Sequence, residues 1–169
     1  MTNSKATILV LGASGMLGSA IFASFVADQN FRAVGTLRWQ NAGGLFTKHQ
    51  RRSLIFDLDI NDEKALKRLF EEVQPQIVIN CIGIVKQLPA ASDPSVTLPV
   101  NSLFPHKLAD LCKTIEARLI HFSTDCVFSG RKGMYTEKDE TDAFDLYGIS
   151  KKLGELHYSN TLTLRTSII

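Results

Sequence analysis

Short apolar runs alternate with amphipathic stretches along the whole chain. ATILVLG (6–12), FRAVGTLR (31–38), RSLIFDLD (52–59), QIVINCIGI (76–84), RLIHFSTDCVF (118–128) and TLTLRTSII (161–169) read as six strands. Several are nearly continuous in apolar residues, as expected of strands covered on both sheet faces. Between them, MLGSAIFASFVAD (16–28) carries Leu17, Ile21, Phe22, Phe25 and Val26 at helical spacing. NDEKALKRLFEEV (61–73) reads as a helix with Asn61 or Asp62 as its N-cap and acidic residues in its first turn. NSLFPHKLADLCKTIEA (101–117) reads as a helix with an early proline, tolerated in a first turn, and YGISKKLGELHYSN (147–160) as a last helix. The stretch 129–145 is polar and loop-like. This alternation predicts an α/β fold, a doubly wound parallel sheet of Rossmann type, filling one domain over residues 1–169. No internal repeat, low-complexity segment or linker interrupts it, and the last strand runs to the final residue, which leads us to expect a truncated domain.

Between the first strand and the first helix, Gly12, Gly15 and Gly18 form G-x-x-G-x-x-G in LGASGMLGS. That context gives the motif meaning. Gly12 can take the φ of a sharp turn, Gly15 can let backbone approach a pyrophosphate, and Gly18 can let the helix pack closely on the sheet. The helix N-terminus then offers N–H groups and partial positive charge to phosphates. The competing reading is a glycine turn that merely packs. A site built for NAD usually carries an acidic residue after the second strand, to bind the ribose 2′-hydroxyl. No acid lies between Phe31 and Gln50, and Arg38 is placed to meet a 2′-phosphate, unless it is an ordinary surface arginine. The pattern favours NADP(H) over NAD(H). Asp57 and Leu58, after the third apolar run, are placed either to flank the adenine or simply to turn the chain.

Tyr147 and Lys151 stand four residues apart in DLYGISKKLGE, one helical turn apart on one face. A lysine ammonium beside a tyrosine stabilises the phenolate and lowers a pKa otherwise near ~10, which suits the phenol to proton donation. The same spacing also arises by chance on surface helices, so the pair gains weight only beside the glycine turn.

Composition narrows the classes. The chain has 169 residues, 44% of them apolar and 21% charged, and a net charge of +2. That balance is ordinary for a globular domain with its own core and too weakly basic to suggest nucleic acid or an anionic membrane as partner. No apolar run is long enough to span a bilayer, and the N-terminus lacks a secretory signal pattern. Cys81, Cys112 and Cys126 are scattered, form no CxxC, and accompany four histidines without metal-ligand spacing. We read this as a cytoplasmic protein with no metal.

LGASGMLG, FDLDI, NCIGI, VNSLFP, STDCVF, YGISK with GE, and LRTS follow one another over the whole chain. In that order they resemble the extended short-chain dehydrogenase/reductases, and within them the dTDP-4-dehydrorhamnose reductase-like nucleotide-sugar reductases. The resemblance implies catalytic roles for Thr124, Tyr147 and Lys151, with Ser123 able to share the hydroxyl role of Thr124. It implies that Ser14, Met16 and Leu17 in the glycine turn, Cys81, Ile82 and Gly83 in the fourth strand, and Tyr147 and Lys151 line the cofactor. Asn101 matches a residue that supports a proton-relay water in many relatives; its alternative is a helix N-cap. The implied partner is a nucleotide sugar, with a homodimer allowed. Two departures stand out: Cys126 replaces a frequent tyrosine and reads as a small filler, and Ile168 replaces an aromatic residue near the sugar, so a UDP-linked substrate is an alternative to a dTDP-linked one. The family also continues past L-R-T-S into a C-terminal substrate region, expected to lie beyond Ile169. The implied activity is NADPH-dependent reduction of a 4-keto deoxy sugar nucleotide, by a complete protein and not by this stretch alone. The alternatives are an NADP-binding regulatory subunit, or an epimerase or dehydratase of the same superfamily.

Overall fold

The computed structural model describes residues 5–167; Ile168 therefore lies outside the described residues. Strand β1 (Ala6–Leu11) leads into helix α1 (Met16–Ala27), then β2 (Phe31–Thr36), a 3-10 turn (Gln40–Leu45), helix α2 (Lys48–Arg51) and β3 (Leu54–Ile55). Helix α3 (Glu63–Val73) returns the chain to β4 (Ile77–Asn80). A 3-10 turn (Pro89–Ser92) precedes α4 (Pro94–Leu98), a π-helical segment (Pro99–Leu103) and α5 (Phe104–Thr114). Then come β5 (Arg118–Thr124), a 3-10 turn (Asp125–Val127), α6 (Leu146–Leu153) and β6 (Thr161–Thr166). The strands form one parallel sheet in the order β3-β2-β1-β4-β5-β6, the doubly wound arrangement expected from the alternation. That order reverses direction between β1 and β4, so the crevice beyond their carboxyl ends is where such sheets hold ligands.

Strand alternation distributes the core over both faces. Leu9, Leu11, Val34, Val78 and Leu119 pack against Leu66, Leu69, Phe70 and Leu108 of α3 and α5. Ile8, Val10, Ala33 and Ile79 pack on the other face against Phe22 of α1. Phe22 is fully buried and meets Phe46 edge-on at 5.6 Å, a burial that contributes about 1.5–3 kcal/mol. The second face is open over β5 and β6, where Leu162 and Leu164 are 38% and 37% exposed.

Several predicted elements are shorter than their apolar runs. The third strand has two residues rather than the stretch 52–59, because Asp57 takes a left-handed φ of 59° and turns the chain out of the sheet. The fourth ends at Asn80, and the fifth stops at Thr124, whose hydroxyl accepts from Cys126 N–H and caps the turn that follows. The last helix ends at Leu153 rather than near residue 160. The helix expected from Asn101 begins seven residues earlier, at Pro94, with Asp93 accepting from Ser95 N–H at its start. Asn101 is therefore inside a helical run and is not its N-cap. For the helix at 61–73, Asp62 is the cap. Among the described residues, no helix is long and apolar enough to cross a membrane, and no cluster of three or more His, Cys, Asp or Glu could hold a metal ion.

Candidate active site

The glycine turn has the form the motif predicts, and two of its glycines are sterically required. Gly12 has φ 78°, and a Cβ there would come within 2.8 Å of the Ile82 side chain. A Cβ on Gly18 would lie 2.2 Å from the Gly12 carbonyl oxygen, so α1 can start this close to β1 only without one. Gly15 differs: its φ is −72°, and an added Cβ would meet only Gly12 O, at 3.5 Å. Among the described residues nothing demands a glycine there, and its bare backbone leaves room for an outside group to approach. Ser14, Gly15, Met16 and Leu17 are exposed. Helix α1 has neither a side-chain cap nor an acid in its first turn, so its leading N–H groups remain for an external acceptor. These residues fit a dinucleotide pyrophosphate.

Arg38 stands exposed just past β2, its guanidinium 4.9 Å from the Trp39 ring centroid. Asp57 is exposed and accepts from Gln40 Nε2 at 2.7 Å. Leu58 is buried in the α3-side core, and its N–H donates to Leu37 O, so only its backbone edge borders the crevice. On the other side of the turn, Cys81 N–H donates to Leu11 O, and Ile82 packs against Gly12. Gly83 lies over the α6 side of the site: a Cβ there would be 3.8 Å from Lys151 Nζ and 3.4 Å from Asn101 Oδ1. Cys81 to Gly83 thus join the two ends of the site. Burial pushes the Cys81 thiol up to about 12, so it is an inert wall and not a nucleophile.

Helix α6 starts at Asp145, whose carboxylate accepts from Gly148 N–H at 2.7 Å. It packs so closely on the turn after β5 that a Cβ on Gly148 would sit 2.3 Å from Cys126 O. This seating brings Tyr147 to Thr124. Burial raises the Tyr147 phenol above its ordinary value, the neighbouring Thr124 hydroxyl opposes that, Cys126 and Asp125 add to it, and Lys86 opposes it; the Thr124 hydroxyl itself donates to Asp125 Oδ1 at 3.2 Å. Lys151 is not what tunes the phenol in this arrangement. Its ammonium donates to Phe122 O at 2.7 Å, and burial lowers it from 10.5 to about 8, with the Glu155 charge opposing. The sequence expectation of a depressed phenol is corrected here: burial leaves Tyr147 raised, and Lys86, which ion-pairs with Asp145 at 2.8 Å, is only a minor opposing charge.

Below the Tyr147–Lys151 face runs a buried polar seam. Asn101 Oδ1 accepts from Ile84 N–H at 2.8 Å, while its Nδ2 donates to Ile84 O and Ser150 Oγ. The side chain thereby staples the loop after β4 to α6. Ser102 Oγ donates to Ser150 O at 2.8 Å. His121 is fully buried, with Asn80 Nδ2 3.1 Å from its Nδ1. Burial first, then Lys151 and His106, hold the imidazole down at about 3, so it is neutral near pH 7. Ser123 does not share the role of Thr124. It points to the other side of β5 and donates to Glu155 Oε1 at 2.7 Å. Lys86, Asp145, Glu155 and Arg165 were assigned no role from sequence; the GE after YGISK and the R of LRTS are the signals that could have found two of them. A pocket of about 440 Å³ opens beside Tyr147, walled by Leu88, Pro89 and Leu146 and edged by the Lys86–Asp145 pair. Two hydroxyls, a buried cation and a phosphate-ready turn along one crevice can orient a carbonyl and protonate its oxygen.

Comparison with known proteins agrees with this geometry. The chain is 34% identical over 147 residues to a probable low-salt glycan biosynthesis reductase, Agl14, of Haloferax volcanii, covering 86% of this chain and 46% of that protein. It is 33% identical over 148 residues to a dTDP-4-dehydrorhamnose reductase of Streptomyces griseus (87% and 43%). It is 30% identical over 148 residues to methionine adenosyltransferase 2 subunit beta of Rattus norvegicus (88% and 41%). The chain therefore spans less than half the length of these curated relatives. Among solved structures, a dTDP-4-dehydrorhamnose reductase from Clostridium acetobutylicum superposes with a TM-score of 0.76 at 26% identity, over 95% of this chain and 53% of that one. A dTDP-4-dehydrorhamnose reductase from Bacillus anthracis, solved with NADP, shares the fold at a TM-score of 0.75 and 23% identity, over 95% and 53%. The family model described as RmlD substrate binding domain matches residues 6–169. With nearly the whole chain covered, and with the parallel sheet and glycine turn in place, this protein belongs to the RmlD substrate binding domain family.

Proposed function

We propose that the complete protein carrying this chain reduces the 4-keto group of a deoxy nucleotide sugar with NADPH, and that Tyr147 donates the proton. The observation that carries the reading is the convergence of Thr124 at the end of β5, Tyr147 on α6 and buried Lys151 at the strand ends next to the glycine turn. The name of the Streptomyces relative supports a dTDP-linked sugar, with a UDP-linked one as the alternative. NADPH, when bound, supplies the hydride to the carbonyl carbon. Gly12 to Gly18 and the α1 N-terminus would hold the pyrophosphate, with Ser14, Met16 and Leu17 alongside; exposed Arg38 would meet a 2′-phosphate, while Asp57 and Leu58 would border the adenine. Thr124 hydrogen-bonds the sugar carbonyl oxygen and orients it. Tyr147 gives that oxygen its proton as charge develops there. Lys151, whose Nζ lies next to Gly83, would hold the nicotinamide ribose hydroxyls. Tyr147 is half buried and its phenol is raised, so it holds its proton throughout the neutral range, as a donor must.

The test is Tyr147→Phe in the complete protein. Turnover should fall by about 10²–10⁴-fold while NADPH affinity stays near that of the parent. Turnover within a few-fold of the parent would remove Tyr147 as the donor. A second reading, an NADP-binding regulatory subunit, is favoured by the likeness to methionine adenosyltransferase 2 subunit beta. It is distinguished by a parent protein that binds NADPH yet reduces no 4-keto sugar nucleotide.

A further inference from the structure

Four residues beyond Lys151, just past the end of α6, Glu155 is 93% buried yet remains a charged acceptor. Its Oε1 accepts from Ser123 Oγ at 2.7 Å and from Arg165 Nε at 2.8 Å, and its Oε2 accepts from Arg165 Nη2 at 2.7 Å. Burial alone would push this carboxyl up, but the Arg165 and Ser123 bonds outweigh it and hold the group below its ordinary value. Arg165 also lies 5.0 Å from the Phe128 ring, which stacks on Tyr135 at 4.4 Å. One carboxylate thus gathers the residue before Thr124, the end of the helix bearing Tyr147 and Lys151, strand β6, and the loop after β5. A buried ion pair is a poor way to add stability, since apolar residues of similar volume do as well or better. A bidentate arginine–carboxylate pair does fix geometry.

We propose that Glu155, held by Arg165 and Ser123, is a positioning residue that registers the Thr124 hydroxyl against the Tyr147–Lys151 face and serves as counter-charge to the buried Lys151 ammonium. The proposal rests on the reading of Thr124, Tyr147 and Lys151 as the reducing site. Of the other titratable groups on the elements packed here, His121 on β5 is neutral at physiological pH; Tyr147 lies on α6; Arg165 on β6 acts through Glu155; and His106 on α5 acts on His121. Lys151 holds Phe122 O while Glu155 holds Ser123 Oγ, so the two charges flank adjacent residues of β5, and the Glu155 carboxylate favours the charged lysine.

The experiment measures kcat, KM and the pH profile of the complete protein as Glu155→Gln, Arg165→Gln and Tyr147→Phe. For E155Q, a kcat lower by about 10–100-fold with both KM values within about threefold is expected, as for misregistered reacting groups. The alkaline limb of kcat, set by loss of the Lys151 proton, should move down by about 0.5–1 pH unit when its counter-charge is gone. A merely structural glutamate would lower stability and leave that limb in place, and a folded E155Q with an unmoved limb overturns the proposal. If E155Q does not fold, R165Q decides: with the Glu155 charge freed from its arginine, the limb should move up, and an unmoved limb again refutes the counter-charge. Retained turnover in Y147F breaks the donor reading instead. The E155Q limb still reports on Lys151 in that case, so the two failures are separable.

Discussion

The two ends of the candidate site are built by opposite means. The glycine turn is made of backbone and missing side chains, compressed into residues 12–18, with exposed polar groups left for a ligand. The α6 end is made of side chains brought from distant parts of the chain: Lys151 to Phe122 O, Ser123 to Glu155, Asn101 to Ser150. The first end is steric and costs little electrostatically. The second keeps an ammonium, a carboxylate and an imidazole out of water, and its stability depends on pH. Shape is guarded at one end by excluded volume and at the other by charge, so the two should fail differently when mutated.

Gly18→Ala tests the steric end and carries the largest expected effect. The new methyl would have to displace the Gly12 carbonyl, which is backbone and cannot swing aside. A loss of about 2–4 kcal/mol is expected in denaturant unfolding, at the upper range for overpacking. Gly15→Ala, where the added atom meets only Gly12 O at 3.5 Å, should stay within about 1 kcal/mol of the parent while weakening NADPH binding. If the two alanines destabilise equally, the distinction between a packing glycine and a ligand glycine is wrong.

Lys151→Met tests the electrostatic end. Lys151 is 6% exposed, and its amine is lowered from 10.5 to about 8. Keeping it charged below pH 8 therefore costs the fold on the order of 3 kcal/mol, offset in part by its bond to Phe122 O. The sign follows from proton counts. Between about 8 and 10.5 the unfolded chain keeps a proton that the folded chain has released, so stability rises with pH across that window. K151M should thus be more stable than the parent at pH 7, by about 1–2 kcal/mol after the lost hydrogen bond. Its advantage should shrink as pH rises from 8 to 10. Thermal unfolding at a series of pH values reads both, and a K151M protein less stable than the parent at pH 7 would show that the buried ammonium holds the fold together.

The same contrast explains what could be read from the sequence. The strand–helix alternation, the burial of both sheet faces and the Gly12–Gly18 turn follow from patterns within a dozen residues, which is the range over which apolar periodicity and glycine spacing carry information. Tyr147 and Lys151 were visible because they share one helix turn. Their partners were not. Lys151 binds a backbone carbonyl 29 residues away, and Ser123 points away from Thr124 because alternate strand residues face opposite sides. The two-residue β3 was hidden in the apolar run 52–59, since a left-handed Asp57 is not marked by any glycine. Asn101 was read as a possible cap because the helical run before it contains Pro94 and Pro99, and the π-helical segment absorbs the second of these.

The smallest effects lie where the two ends of the site meet solvent, at the mouth of the pocket. Asp145 both caps α6 through Gly148 N–H and pairs with Lys86, whose side chain is 54% exposed. Those two roles differ in worth: an N-cap contributes about 1 kcal/mol, whereas an exposed ion pair contributes about 0–1 kcal/mol and is screened by salt. Asp145→Ala should therefore cost about 1 kcal/mol, nearly all of it insensitive to salt, and Lys86→Met no more than about 0.5 kcal/mol. What K86M should change is the phenol. Without the cation that opposes burial, Tyr147 should titrate at higher pH than in the parent, followed by NMR of ring-labelled tyrosine. A Tyr147 titration unmoved by K86M but shifted by K151M would mean that the ammonium of Lys151 reaches the phenol after all, and that the helix pair, not the pocket mouth, sets its proton.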